Sequence, residues 1–523
     1  MITDQRSHLP EPPVIPDRPP HIDDHALARP DAVAADMSDG QPPLTYAQLD
    51  ARSDALAGQL RAAGIAEGDH VALLMPNCPA FLIAAWACHR SGLHYTPVNW
   101  HLSADEVRYI IVDSGAKLVL ASHSLEMLAR QSVGGATLWL CDAAGPSGFA
   151  PANGAPIDPV AYSSREGASM LYSSGTSGRP KGIKRVLSGA PFGSWSQSDA
   201  MMRDLYGFNS DTVFLCTAPL YHAAPLNFAM SAQRAGGRVI LMSAFDAEAA
   251  LYLIEREGVT VAWLVPTMMT RMLRLPEARR AAADTASLTH VVHAGAPCPV
   301  PVKQAMMEWL GPKLYEFYGA TEGNGFTAIG PHEWLAHPGS VGRSESVRIV
   351  GDDGSELPPM RDGLVYFANT WNPFSYHNDP QKTAEAFDHR GWSTLGDIGH
   401  LDADGYLYLT DRQSHMIISG GVNIYPQEIE NLLAQHPFVE DAAVIGVPNV
   451  DFGEEVKAVV QLIAGVTAGV DAERVLIAWC RERIAHFKAP RSVDFVDALP
   501  RMPTGKLFKR ELIARYRSPT GPI

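Results

Sequence analysis

The chain has 523 residues, with 42 Lys and Arg against 57 Asp and Glu for a formal net charge of −15. This length predicts two to four domains, and so acidic a balance argues against partners built of nucleic acid phosphate or anionic lipid. Hydrophobic residues make up 46% and charged residues 19%, which excludes bulk disorder and predicts a large buried core. The 44 glycines and 40 prolines predict many turns. Six scattered cysteines with no C-x-x-C pair exclude a zinc ribbon and a disulfide scaffold, and predict a reducing compartment. The densest apolar run, Phe81 to Cys88, has eight residues, far short of the ~18 that a membrane span needs. With prolines where a leader would be apolar, the expectation is a cytoplasmic protein without an integral membrane segment.

Residues 1–24 carry Pro10, Pro12, Pro13, Pro16, Pro19 and Pro20 and read as a loosely ordered arm. From Thr45 the pattern alternates between helix and strand. Thr45-x-x-Gln48 is a capping box, Leu49, Leu56 and Leu60 share a helical face, and Gly64 is placed to stop the helix. A strand is predicted at 71–75, a helix at 80–90 and a strand at 95–98. Ser103-x-x-Glu106 then opens a helix that stops at Gly115, before a strand at 118–121. Further strands are predicted at 239–242, 259–265 and 290–293. Such repeated strand–helix–strand units imply parallel sheets covered by helices. Trp195, Trp263, Met306 and Met307 read as core. Short strands joined by Gly and Asp turns at 341–350, 363–368 and 400–410 predict a β-rich subdomain over about 340–411. The last 112 residues, 412–523, read as a small α+β unit after a large unit at 25–411; the elements expected are a helix from 426, strands at 441–447 and 455–462, a helix at 471–484 and a basic tail. The fold class expected is therefore α/β with a large N-terminal and a small C-terminal domain.

The stretch Leu171 to Gly182 reads LYSSGTSGRPKG. Glycines let backbone N–H groups wrap an anion, hydroxyls add donors or reach a metal, and a lysine adds a point charge. Composition alone equally fits a flexible Ser/Gly linker. It is not a Walker A loop, because Lys181 is followed by Gly182.

Ser173 to Gly182 nonetheless resembles, position by position, the phosphate-binding loop of the adenylate-forming superfamily of acyl-CoA synthetases, luciferases and peptide-synthetase adenylation domains. The resemblance implies that Ser173, Ser174, Gly175, Thr176, Ser177, Gly178 and Lys181 hold ATP phosphates. Further motifs follow in the family's order. Pro219-Leu220-Tyr221-His222 resembles the segment that meets the carboxylate substrate, with Ala223 and Ala224 beside His222 as acyl-pocket candidates. Gly295-Ala296-Pro297 resembles the backbone wall of the adenine and acyl sites. Tyr318-Gly319-Ala320-Thr321-Glu322 is similar to the motif in which tyrosine stacks on adenine, threonine contacts phosphate and glutamate holds Mg2+, with Thr176 a second candidate ligand. Gly396-Asp397 and Asp411-Arg412 resemble the ribose-binding pair and the opening of a mobile C-terminal domain. Ser419-Gly420-Gly421 corresponds to the loop beside the pantetheine tunnel, and Thr504-Gly505-Lys506 to the element carrying the adenylation lysine. Two departures stand out: Leu395 occupies the family's threonine position before Gly-Asp, and Ser414 the hinge position, where Asp or Lys is usual.

Taken singly, Glu322 reads as a surface carboxylate, His222 as a packed histidine and Asp397 as a turn residue. Lys506 reads as one of a basic cluster with Lys488, Arg501, Lys509 and Arg510. Their joint order carries the functional reading. What the resemblance implies is an ATP-dependent acid–CoA ligase acting on an apolar carboxylic acid of fatty, aromatic or sterol-side-chain type, with Mg2+ as cofactor and ATP and CoA as co-substrates. Rival expectations are a stand-alone adenylating enzyme that loads a separate carrier protein and a nucleotide-binding relative without turnover. A homodimer is left open. No acidic residue lies at 219–222 to pair with an amino acid's ammonium, and the 17 residues after Lys506 leave no room for a fused carrier domain.

Overall fold

The structure, a computed structural model, describes residues 20–141, 165–173, 180–368, 374–501 and 507–517. Two sheets dominate. The larger has eight strands in the order Phe326–Ile329, Leu314–Gly319, His290–His293, Val261–Leu264, Val213–Cys216, Arg238–Leu241, Val33–Met37 and Leu44–Thr45. Its six central strands pair in parallel and the two edge strands antiparallel. The second sheet is all parallel, in the order Thr137–Cys141, Leu118–Ser122, His70–Leu74, His94–Pro97, Ala168–Ser169. The apolar run at 81–88 lies in the helix Pro79–Arg90, which touches strands of both sheets and is buried at all but one position. A helix that is apolar all round must be covered on all sides, and the two sheets supply that cover.

The local signals act as expected. Thr45–Gln48 and Ser103–Glu106 both form capping boxes, and Gly115 ends its helix in the left-handed conformation. Trp263, Met306 and Met307 are buried, whereas Trp195 is half-exposed and donates to the Pro20 carbonyl at 3.1 Å. The expected arm at 1–24 is too long. His21 and Ile22 are fully buried and Ile22 opens the helix Ile22–Ala28, because the His21 ring packs edge-on against Trp86 and Phe192. All six cysteines are free. No helix among the described residues is long and apolar enough to cross a membrane.

A four-stranded antiparallel sheet follows, in the order Val347–Val350, Gly363–Phe367, Ser393–Leu401, Leu407–Arg412. The strand expected at 341–350 is confined to its last four residues. Gly342, at φ +100°, presses against Ala328 so closely that a Cβ would stand 2.2 Å from its carbonyl oxygen, and the chain bends there. The segment 400–410 is two strands joined at Asp402, whose Oδ1 accepts from the N–H of Asp404 and of Tyr406. Beyond Arg412, strands Ile417–Ser419, Val422–Ile424, Val439–Asn449, Gly453–Leu462 and Ser492–Phe495 form one sheet. Helices Pro426–Leu433 and Val470–Arg481 pack on it around a core of its own.

Candidate active site

In open parallel sheets, ligands bind beyond the carboxyl ends of the strands. Three of the motifs leave the larger sheet at that edge. Pro219–His222 follows the strand Val213–Cys216, Gly295–Pro297 follows His290–His293, and Tyr318–Glu322 ends Leu314–Gly319. Parallel pairing thus gathers residues a hundred positions apart onto one rim. The residues Tyr318 to Glu322 pass from strand to turn rather than starting a helix, leaving Gly319 exposed, Thr321 half-buried and Glu322 buried.

Asp397 lies within the strand Ser393–Leu401, directly opposite Arg412 on the next strand. Its Oδ1 accepts from Arg412 Nε at 2.8 Å and its Oδ2 from the Tyr318 hydroxyl at 2.6 Å. The Asp397 charge raises the Arg412 pKa, and burial, with that same charge, holds the Tyr318 phenol well above its ordinary value. Tyr318 is therefore a neutral donor whose ring also stacks on Phe367, with centroids 5.9 Å apart. Gly325 makes that stack possible, since a Cβ there would collide with the Phe367 ring.

The two ends of the stretch 173–181 meet in a hairpin in which Ser173 pairs with Lys181. The Lys181 ammonium stands 4.8 Å from the centre of the Tyr376 ring. The Tyr376 hydroxyl donates to Glu322 Oε1 at 2.9 Å, so one tyrosine joins the loop lysine to the motif carboxylate. Ser174, Gly175, Thr176, Ser177, Gly178 and Lys506 lie outside the described residues.

His222 is half-buried at the N-terminus of the helix Ala223–Arg234, its ring 4.5 Å from that of Tyr221. Ala223 and Ala224 form the first turn of this helix and are half-buried. Asn77 holds the segment in place: its Nδ2 donates to the carbonyls of Ala218 and Met242, and its Oδ1 accepts from Leu220 N–H. Gly295, at φ +85°, turns the chain at the adjacent strand end, with Ala296 half-buried and Pro297 exposed. Gly420 and Gly421, at φ +58° and +79°, are the two-residue turn between Ile417–Ser419 and Val422–Ile424. Positive φ at both positions is what such a hairpin demands. Ser414 is exposed in a single helical turn, Gln413–His415, between two strands.

The motif reading missed Tyr376 and Asn77. Asn77 follows Pro76 just after a buried strand, a turn signal; nothing local to Tyr376 announces a partner 54 residues away.

The AMP-binding enzyme family matches residues 22–375 and its C-terminal domain residues 428–506. Feruloyl-CoA synthase from Amycolatopsis sp is 36% identical over 484 residues, covering 91% of this chain and 95% of that protein. Indoleacetate–CoA ligase from Aromatoleum aromaticum is 35% identical over 515 residues, covering 94% and 98%. Among solved structures, ATP-bound MatB from Rhodopseudomonas palustris superimposes with a TM-score of 0.79 at 29% identity, over 95% of this chain and 99% of that one. The rim of motifs at the strand ends and these full-length matches agree: the chain belongs to the AMP-binding enzyme family, the adenylate-forming superfamily.

Proposed function

We propose that the chain is an ATP-dependent acid–CoA ligase for an apolar, preferentially aromatic, carboxylic acid. The observation that carries the reading is the shared rim, on which the Asp397–Tyr318–Arg412 cluster and the Lys181–Tyr376–Glu322 cluster flank the strand ends. A carboxylate attacks the α-phosphate of ATP, forming acyl-AMP and releasing pyrophosphate; the CoA thiol then attacks the acyl carbonyl and AMP leaves. No general base is needed in the first step, because the nucleophile is already ionised. The barrier is repulsion between anions, which fixed cations and N–H donors lower.

In this reading Lys181 and the loop 173–178 hold the phosphates, with Thr321 as a further phosphate contact. Tyr318 stacks on adenine against the wall at 295–297, and Asp397, oriented by Arg412, takes the ribose hydroxyls. Lys506 bridges carboxylate and α-phosphate. Rotation about Ser414 then brings the turn at 419–421 to the site for thioester formation. Glu322 fits Mg2+, which favours one or two carboxylates together with substrate phosphates. It is a buried carboxylate held by a tyrosine hydroxyl, with Thr176 as the second candidate. The bound ion supplies charge that neutralises the triphosphate.

The preference for aromatic acids rests on the rings around His222. Trp100 stacks on His101 at 3.6 Å, and the Tyr221 hydroxyl meets His101 Nδ1 at 3.2 Å. Feruloyl-CoA synthase and indoleacetate–CoA ligase are similar along almost their whole length. A screen of acids by chain length and ring content, with free CoA as acceptor, tests the reading. Aryl acids should give thioester, AMP and pyrophosphate with kcat/KM at least tenfold above long-chain fatty acids. Thioester formation with no acid, or only with a carrier protein, counts against it.

Asp397→Asn keeps the shape of the side chain and removes its charge. Hydrogen bonds to charged groups contribute about 1.5–3 kcal/mol, so KM for ATP should rise roughly 10- to 100-fold. Adenylation kinetics beside a thermal melt check this. An unchanged KM in a folded variant would remove Asp397 from the nucleotide site.

A further inference from the structure

Beside the Tyr376 ring lies a cavity of about 480 Å³, whose walls include His94, Arg165, Lys184, Arg185 and His377 as well as Tyr376 itself. Three permanent cations converge there in a chain whose net charge is −15. Arg165 lies 3.6 Å from Glu67, while among the described residues no carboxylate pairs with Lys184 or Arg185. Like charges gathered in a concave, protein-walled space focus a positive potential.

His94 supplies an independent sign of a missing ligand. It is only 6% exposed, and its Nδ1 is buried with no hydrogen-bond partner. Buried polar groups are almost always satisfied, so such an atom on a cavity wall calls for a partner. Among the neighbouring rings, His70 stacks on it at 5.9 Å with Nε2 engaged by Thr96 and its own Nδ1 likewise buried without a partner, and His377 Nε2 meets the Asp113 carbonyl at 3.0 Å. Burial, Lys184 and His377 together push the His94 pKa down to about 4. A neutral imidazole can donate from Nδ1 to an anion, and that anion would also offset the charges of Lys184 and Arg185.

We infer that this cavity is a second binding site for an oligophosphate anion of pyrophosphate size, bordered by the same Tyr376 ring that Lys181 faces. The inference does not rest on the ligase reading, because the cavity and its charges are independent of which acid is activated. Its occupancy would bear on the catalytic rim through one side chain, since Tyr376 lines the cavity, holds Glu322 and faces Lys181. The source of such an anion is the pyrophosphate released on adenylation, and the phosphates of a free nucleotide are the competing occupant that the test excludes.

Equilibrium dialysis of the full chain with radiolabelled pyrophosphate tests it, the phosphate loop being filled with saturating α,β-methylene ATP. One pyrophosphate site should remain. Lys184→Ala should weaken it at least tenfold, leaving affinity for the ATP analogue and the melting temperature as in the parent; Arg185→Ala, whose parent guanidinium also stands beside Gly323, should weaken it likewise. Lys184→Arg, which keeps the charge, should bind as the parent does, and this separates charge loss from misfolding. Added ADP should leave the bound pyrophosphate in place, since the analogue already presents nucleotide phosphates in excess; displacement by ADP would overturn the inference. No binding tighter than about 1 mM, full displacement by the ATP analogue, or parental affinity in both alanine variants would overturn the inference.

Discussion

Lys506→Ala should lower carboxylate-dependent ATP–pyrophosphate exchange by about 10²- to 10³-fold, while thiolysis of a supplied acyl-AMP proceeds near the parental rate. The first half-reaction brings a carboxylate against a phosphate, both anionic. Two unit charges about 4 Å apart at an effective dielectric constant near 20 repel by about 4 kcal/mol. A cation bridging the two removes much of that cost, which sets the size of the expected loss. In the second half-reaction the nucleophile is a thiol and the leaving group is AMP, so the bridging cation has no pair of anions to reconcile. Measuring both half-reactions on one variant separates these roles. Equal loss in both would mean that Lys506 binds the nucleotide in general rather than serving adenylation.

What could be read in advance divides by range. Ser103, Glu106 and Gly115 act within one helix, so sequence spacing alone identifies their capping role. The joint order of the motifs pointed to one nucleotide site, and parallel pairing accounts for how their residues share an edge. The register that sets Asp397 opposite Arg412 is different, since it depends on a bulge that no local pattern announces. Gly396, at φ +81°, precedes that carboxylate, so the local conformation that reads as a turn lies inside a strand whose pairing is set from across the sheet. Tyr376 was invisible for a related reason: its value lies in joining Lys181 and Glu322, which come from two separate segments. The length of the N-terminal arm was misjudged because prolines up to Pro20 suggest a loose chain, whereas His21 finds its partners 65 and more residues away. Lys303 is the sharpest case. Charge on a helix ordinarily marks the solvent face, and only the tertiary structure shows this lysine fully buried.

Lys303→Met should destabilise the protein by about 3–5 kcal/mol at pH 8, among the largest effects of any single substitution outside the nucleotide site. Lys303 projects from the helix Val300–Leu310 to Glu316, with Nζ and Oε2 2.6 Å apart, and its ammonium stands 4.9 Å from the centre of the Trp334 ring. His293 Nε2 lies 3.5 Å from the same carboxylate oxygen and is itself fully buried. Burial raises the Glu316 pKa, and the neighbouring Lys303 opposes the rise. Removing the lysine leaves a carboxylate that must either stay charged in an apolar setting or take up a proton, and its folded-state pKa climbs further above the unfolded value. The folded state then binds the proton more tightly than the unfolded one, so stability falls as pH rises between those two values. The penalty should therefore be smaller at pH 5 than at pH 8. Lys303→Met combined with Glu316→Leu removes both charges and should recover most of the loss, because replacing a whole buried pair by apolar groups is often neutral. Urea unfolding of the three proteins at both pH values measures these differences. A single variant as stable as the parent at pH 8, or a double variant no better than the single, would show that the pair is not what holds this helix to the strand carrying Tyr318.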